Sequence, residues 1–188
     1  MARLTYADTE SAPSSIRETL DRHPVVFLRM LAHAEGAFDA WMQYTTALLG
    51  ESEVDPLLRE LAILELARLR GSEYQWLQHA ALARAVGAGP DQIAAIKEGR
   101  EDDPSLTEEH REVLRLSREI TLEGEAGEEV VAAVAARLGA RQLVELVLLT
   151  GHWLAITSLV GTLDLQPDLP AMAGALPDTL ALGDGRSR

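Results

Sequence analysis

Four polar side chains in the stretch RELAILELARLRGSEYQWLQH are of types that suit proton transfer. They are Glu60, Ser72, Gln75 and His79. A histidine beside a carboxylate can take up and release a proton near neutral pH. Ser72, Gln75 and His79 are spaced by three and four residues, which places them on one face of a helix. We therefore interpret His79 as a candidate general acid/base and Glu60 as the acid that orients or recharges it.

Each of these residues also has a purely structural interpretation. His79 can be hydrogen-bonded inside a core or a subunit contact, and Glu60 can pair with a neighbouring arginine. Ser72 and Gln75 fit a capping box, because a helix start needs side-chain acceptors for its exposed backbone N–H groups. Counted along the helices, Glu60 lies about 16 Å before the intervening turn and His79 about 11 Å after it. A tilted crossing, a water or a substrate would have to close that gap.

Other residues of the sequence could complete a small-molecule site. Tyr74 could contribute a hydroxyl and Trp76 a ring, although packing is the commoner role for a tryptophan. His152 interrupts a very apolar helix next to Gly151, and it could line the same cavity or be a satisfied structural residue. The candidate substrate-binding residues are therefore Ser72, Tyr74, Gln75, Trp76 and His152.

Helical signals surround these residues and predict an all-α fold. Asp55-Pro56 is typical of a helix start and Gly71 of a helix end, so that 56–70 reads as a helix that is apolar nearly all round. Ser72 begins the next helix, which runs to Val86. Similar signals predict further helices from Ser15, near Pro24, over 34–49, over 90–99, from Thr107, over 130–138 and over 141–160.

The composition favours one soluble helical domain. Of the 188 residues, 47% are apolar but only 4% are aromatic, so the core has to be built from aliphatic side chains. We predict a single domain over 1–164 and a Pro/Gly-rich tail over 165–188. The formal charge of -13 argues against binding to nucleic acid or to an anionic membrane surface. Without a secretory signal or an uninterrupted apolar run of about 18 residues, a cytoplasmic location is expected.

Several kinds of chemistry lack the residues they need. The chain contains no cysteine, which removes disulfides, thiolate metal sites and thiol nucleophiles. Its single lysine, Lys97, lies in a polar stretch and reads as solvated rather than as a Schiff-base residue. No histidine pair has the spacing of a metal motif, and neither a phosphate-binding loop nor a nucleophile elbow is present. We predict neither a metal nor a cofactor.

Five stretches of the sequence resemble the carboxymuconolactone decarboxylase-like branch of the alkylhydroperoxidase-D-like superfamily. They are RELAIL, GSEYQWLQH, AVGAGPDQIAAIKEG, EEHREVLRLSREI and RQLVELVLLTGHW, within about residues 25–165. The resemblance implies an all-helical fold that assembles as trimers or hexamers. The peroxidase branch carries a Cys-x-x-Cys-x-x-x-His arrangement with a glutamate one helix earlier. Here Ser72 and Gln75 occupy the two cysteine positions, while His79 and Glu60 match the histidine and the glutamate.

The comparison implies that the proton-relay half of that site is kept and that the thiol half is absent, which excludes a thiol peroxidase. It implies a cofactor-free decarboxylation, or a related lyase or isomerase step, on a small carboxylated or enolisable substrate. The alternative is a non-catalytic ligand-binding or assembly protein that retains the fold. A pocket joining Glu60, His79 and His152 would favour the enzyme, whereas a His79 enclosed by apolar side chains would favour the alternative.

Overall fold

The computed structural model describes residues 2–167, and all regular secondary structure in that part of the chain is helical. The all-α prediction is thus confirmed. Of the tail predicted for 165–188, only the residues up to Pro167 are described. The helices are α1 (Ser14–Arg22), α2 (Val26–Leu31), α3 (Glu35–Gly50), α4 (Pro56–Leu69), α5 (Glu73–Ala85), α6 (Pro90–Glu98), α7 (Glu108–Glu123) and α8 (Glu128–Leu163).

The chain forms two compact units. Among the described residues, the first unit contains 2–51 and 159–167, and in it α1 packs on α3. Its N-terminal segment is tied to the end of α8 by a backbone hydrogen bond from Arg3. The second unit is Ser52–Ser158 and contains all the candidate site residues. The prediction of one helical domain over 1–164 stays a prediction.

The central helix of the second unit is α4, which packs against α5, α6 and α7. Asp55 caps it by accepting a hydrogen bond of 2.7 Å from the backbone N–H two residues on, and Pro56 occupies the first turn, as predicted. Ten residues of α4 are buried, among them Arg59, Glu60 and Glu65. Because a helix enclosed on most sides cannot expose its charges, each of these three has to be satisfied inside the protein.

The turn between α4 and α5 differs in one respect from the predicted capping box. Gly71 has a φ of 61°, a left-handed conformation that lets the chain leave α4 at little cost. Ser72 caps α5 by accepting from the N–H of Gln75 at 3.4 Å. Gln75 does not return the bond: the N–H of Ser72 donates to the carbonyl of Ala67 at 2.9 Å, and the Gln75 side chain is buried. The capping interpretation therefore holds for Ser72 and not for Gln75.

One other predicted boundary needs correction, and one is confirmed. The helix predicted from Ser15 begins one residue earlier, directly after Pro13, so Ser15 lies inside the helix rather than at its cap. The two helices predicted on either side of Gly139 are both present. They are described together as α8, and Gly139 between them has non-helical angles, φ 83° and ψ 167°. Glycine adopts such angles readily. The break predicted at Gly139 is therefore confirmed.

By length and composition, α8 is the one helix among residues 2–167 that could cross a membrane, with a mean hydropathy of 1.8 over 18 residues. Of that window, 39% is buried within the protein. Polar contacts tie α8 into the second unit, where the Glu145 carboxylate accepts from Ser52 Oγ at 2.9 Å and from the N–H of Glu53 at 2.8 Å. A core helix meets the same criterion, so this evidence for a membrane is weak. A cytoplasmic location stays a prediction.

Glu65 is buried on α4 and holds α7 against it. Its carboxylate accepts from Arg68 at 2.7 and 3.0 Å and from Arg118 of α7 at 2.8 and 2.9 Å. Nearby, Ser117 Oγ of α7 donates to the carbonyl of Ala62 at 2.7 Å. A buried carboxylate is tolerated here because charged donors reach both of its oxygens.

We expect Glu65→Ala to lower the free energy of unfolding by about 3 kcal/mol, because the substitution leaves two guanidinium groups without their shared partner. Denaturant unfolding followed by circular dichroism measures the change. The matched control is Glu123→Ala at an exposed position of α7, which should cost less than about 0.5 kcal/mol. Equal losses in the two variants would contradict the proposed role of Glu65.

Candidate active site

Glu60 and His79 meet directly between α4 and α5. Oε2 of Glu60 lies 2.7 Å from Nδ1 of His79, and the two residues are 2% and 5% exposed. The sequence places Glu60 and His79 at different distances from the turn between their helices, which predicted a tilted crossing, a water or a substrate between them. In the structure the two side chains contact each other directly. In a buried environment a hydrogen bond of this length is stronger than the same bond in water.

The second ring nitrogen of His79 is occupied as well. The indole N–H of Trp153, on α8, donates to Nε2 at 2.7 Å, and the two rings are nearly perpendicular at 80°. An indole N–H can only donate, so Nε2 has to accept. The proton of the imidazole is then on Nδ1, which donates it to Glu60. Trp153 thereby selects the tautomer that points a proton at the carboxylate.

Arg59 supports the carboxylate from its other side. Its Nε donates to Oε1 of Glu60 at 3.3 Å, and the side chain is 2% exposed. A buried guanidinium and a buried carboxylate compensate for each other's loss of water. From the sequence, an ion pair between Glu60 and an arginine was the structural alternative to a contact between Glu60 and His79. The structure contains both contacts, because Glu60 uses one oxygen for each.

The predicted substrate-binding residues fall into two groups. Tyr74, Gln75 and His152 are buried, with exposed fractions of 4%, 1% and 5%. Ser72 and Trp76 instead line an open groove of about 550 Å³ on another face of α5, and neither member of the buried acid–histidine pair lines that groove. The structure therefore does not bring all five residues to one cavity.

Gln75 lies one turn before His79 on α5, and its side-chain Nε2 has no hydrogen-bond partner among the described residues. The same is true of the Thr157 hydroxyl, one turn after Trp153 on α8. Leaving a buried polar group unsatisfied costs about 1–3 kcal/mol, and native proteins contain few such groups. The Gln75 amide is therefore a buried donor without a partner among the described residues.

Trp153, rather than the predicted His152, carries the contact of α8 with His79. The His152 ring packs against the edge of its neighbour, with centroids 5.1 Å apart. Burial lowers the pKa of His152 to about 4, so the ring is uncharged at neutral pH. Sequence reasoning missed Trp153 because an apolar helix does not reveal which of two consecutive residues faces a neighbour.

The lowered pKa of His152 makes stability depend on pH. The unfolded chain binds a proton at this ring near pH 6.5 and the folded chain only near pH 4. The contribution of the uncharged His152 ring to the free energy of unfolding is therefore fully present above pH 6.5. It is lost as the pH falls towards 4. The loss is on the order of 3 kcal/mol.

We expect His152→Gln to reduce the difference between the unfolding free energies at pH 7 and pH 4.5, because the variant has no ring to protonate. Urea denaturation at the two pH values measures that difference. The control is His33→Gln, at an exposed histidine, which should keep the dependence of the parent. An unchanged pH dependence in His152→Gln would contradict the assignment.

One segment of the chain is similar to a known protein family. Residues 35–105 match the sequence profile of the Carboxymuconolactone decarboxylase family. The matched segment contains Glu60, Gln75 and His79, and it ends before α8, so that Trp153 lies outside it. No curated protein matches the sequence significantly.

Two solved structures share the fold. The first is the crystal structure of an alkylhydroperoxidase AhpD core, an uncharacterized peroxidase-related protein from Ralstonia eutropha JMP134. The TM-score is 0.77 and the sequence identity is 17%. The alignment covers 94% of this chain and 97% of that chain. The second is a protein of unknown function from Agrobacterium tumefaciens, described as a candidate antioxidant defence protein AhpD. Its TM-score is 0.65, with 16% identity over 73% of this chain and 94% of that chain. These similarities confirm the predicted AhpD-like all-α bundle.

Proposed function

We propose that this chain is a cofactor-free proton-transfer enzyme of the carboxymuconolactone decarboxylase-like family, in the branch without a Cys-x-x-Cys pair. The match of residues 35–105 to the family profile and the lack of cysteine support this proposal. The substrate is a small carboxylated or enolisable molecule, and the reaction is a decarboxylation or a related lyase or isomerase step. The observation that carries the proposal is the buried 2.7 Å hydrogen bond between Glu60 and His79. Thiol-based peroxide reduction needs cysteines that this chain does not have.

His79 is the general base in this proposal, and Nε2 is the atom that takes the proton. Glu60, held by Arg59, orients the ring and stabilises the positive charge that the ring acquires. In an isomerisation the ring returns the proton to a different atom of the substrate. In a decarboxylation Nε2 takes the proton of the substrate's carboxyl group, and the electron pair of the breaking C–C bond moves into the substrate's conjugated system as carbon dioxide leaves. The ring then returns its proton to a substrate carbon.

Gln75 is the substrate-binding residue that the structure supports best. Its unpartnered Nε2 can donate to a carbonyl or carboxylate oxygen one helical turn from His79. If negative charge develops on that oxygen during the reaction, the same hydrogen bond becomes stronger, and this lowers the barrier. For Ser72, Tyr74, Trp76 and His152 a role in substrate binding stays a prediction.

Trp153 has to leave Nε2 before His79 can act as a base. The indole N–H occupies the lone pair that would accept the substrate proton. Breaking one buried hydrogen bond costs about 1–3 kcal/mol, which a substrate can offset by forming its own hydrogen bond to the same atom. Substrate binding in this proposal is therefore coupled to a displacement of the Trp153 side chain.

The same geometry also supports a second candidate function, a non-catalytic ligand-binding or assembly protein that retains the fold. Both ring nitrogens of His79 are hydrogen-bonded, and the residue is 5% exposed. In this alternative His79 only joins α4, α5 and α8, and its substitution changes stability without changing any reaction rate.

We expect His79→Gln to reduce turnover at least about 100-fold, because general acid–base catalysis typically contributes 10²–10⁴-fold. Mass spectrometry of a panel of keto acids and lactone carboxylates detects loss of carbon dioxide or isomerisation. The matched variant is Trp153→Phe, which frees Nε2 and retains a ring, so it should retain turnover. Circular dichroism of both variants establishes that they are folded.

Unchanged turnover in folded His79→Gln would contradict a catalytic role for this residue. A wild-type protein that converts nothing in the panel, together with a His79→Gln variant that loses only stability, would favour the non-catalytic candidate. The two outcomes separate the proposals because one is read from product formation and the other from unfolding.

We further propose that the chain assembles with copies of itself, as the family resemblance implied for trimers or hexamers. Three apolar residues of α8, Val144, Val147 and Leu148, are exposed by 56%, 41% and 45%. Their spacing of three and four residues places them on one face of the helix, and the exposed Ala155 lies on the same face. A continuous exposed apolar face is typical of a surface that another protein chain covers.

We expect Val147→Glu to shift the protein to monomers, because it places a charge in a contact that has to exclude water. Light scattering coupled to size-exclusion chromatography measures the mass of wild type and variant at the same concentration. Leu122→Glu, at an exposed leucine of α7, should leave the mass unchanged. A monomeric wild-type protein would contradict self-assembly.

A further inference from the structure

A groove of about 550 Å³ runs along α5 from its start to Arg84 in its last turn, and His79 does not line it. It is bounded by the end of α4, by α5 and by Lys97 near the end of α6. Its lining includes three cations, Arg68, Arg84 and Lys97, and one carboxylate, Glu73. Neither the proposed reaction nor the packing of the second unit requires this combination.

Two of the cations in this groove form no ion pair among the described residues. Most arginines of the second unit are paired with carboxylates, as Arg68 is with Glu65. Arg84, by contrast, donates from Nη1 to the carbonyl of Ala80 at 3.1 Å, and Nζ of Lys97 lies 5.5 Å from the centroid of the Trp76 ring. In a chain with a formal charge of -13, unpaired cations that line the same groove are an exception.

The groove is therefore positively charged in a protein that is strongly negative. The charge of Arg68 is neutralised by Glu65. The remaining charged groups of the groove are the two cations Arg84 and Lys97 and one carboxylate, Glu73. Glu73 lies in the first turn of α5, where the backbone N–H groups of the helix start partly compensate for its charge. An anion entering the groove would be attracted by the two remaining cations.

Trp76 gives the same groove a flat apolar wall. The residue is half-buried, and its ring is within cation–π distance of Lys97. Concave sites that combine an aromatic surface with a few convergent polar groups are typical of small-molecule binding. A carboxylate held by Arg84 and Lys97 would bring an attached ring close to Trp76, where the two rings can pack.

We propose that this groove is a binding site for a small anion with a flat apolar body, of the class of aromatic monocarboxylates. Arg84 and Lys97 bind the carboxylate, and Trp76 packs against the ring. The site is independent of the proposed function, because the groove and His79 lie on different faces of α5. Ser72 and Trp76, predicted from the sequence as substrate-binding residues, belong to this second site.

Saturation-transfer NMR of the ring protons of benzoate tests the proposal on the full chain. The dissociation constant of the parent should be in the millimolar range, as for other small ligands with few contacts. Lys97→Gln and Arg84→Gln should each weaken binding about fivefold, the contribution of one exposed ion pair. Trp76→Leu should weaken it by a similar factor. Lys97→Arg keeps the charge and should retain the affinity.

The probes separate the two parts of the site. Benzamide has the ring without the charge and acetate has the charge without the ring, so both should bind at least about tenfold more weakly than benzoate. Arg115→Gln, at an exposed cation of α7 outside the groove, should bind benzoate like the parent. His79→Gln should do so as well, whether or not the protein is an enzyme.

Two results would overturn the proposal. One is benzoate binding that is equal in the parent, Lys97→Gln, Arg84→Gln and Trp76→Leu, since binding would then occur elsewhere. The other is the absence of a saturation-transfer signal for the parent up to about 20 mM benzoate. Because Arg84, Lys97, Trp76 and Arg115 are at least partly exposed, circular dichroism should show that the variants at these four positions are folded.

Discussion

The hydrogen bond between Glu60 and His79 constrains the rest of the second unit. A buried carboxylate is stable only when both of its oxygens are satisfied, and Arg59 and His79 take one each. The imidazole in turn is satisfied by Trp153. Side chains from α4, α5 and α8 therefore depend on one another. A rotation of any of these helices about its axis would leave a buried polar group without a partner.

The ends of most helices could be predicted from the sequence, because the interactions that define them act within about one turn. Asp55 and Thr107 accept hydrogen bonds from N–H groups two and three residues on, and Gly71 adopts the left-handed conformation that ends α4. Ser15 and Gln75 show the limit of such signals. Each is of a type that a capping box needs, but residue type does not say whether a side chain turns to its own backbone or to the core.

The candidate site could be predicted only in part, because its last member comes from far along the chain. Glu60 and His79 were predicted from their types and from the family resemblance, whereas Trp153 is 74 residues from His79. Consecutive residues of a helix point about 100° apart, so the choice between His152 and Trp153 depends on how α8 is rotated. That rotation is determined by the packing of the whole helix and by its kink at Gly139, which local sequence patterns do not encode.

Trp153 also restricts what His79 can do in a reaction. An indole N–H donates a hydrogen bond but does not release its proton near neutral pH. Proton transfer through Glu60 and His79 therefore stops at Nε2 and does not continue to Trp153. A substrate group that replaces the indole has to approach from the same direction, and it has to carry a more acidic proton. A C–H group between two carbonyls meets this requirement, and the Gln75 amide, one turn away, can hydrogen-bond to one of the carbonyl oxygens. The contact that occupies His79 in the free protein thus defines which substrates could displace it.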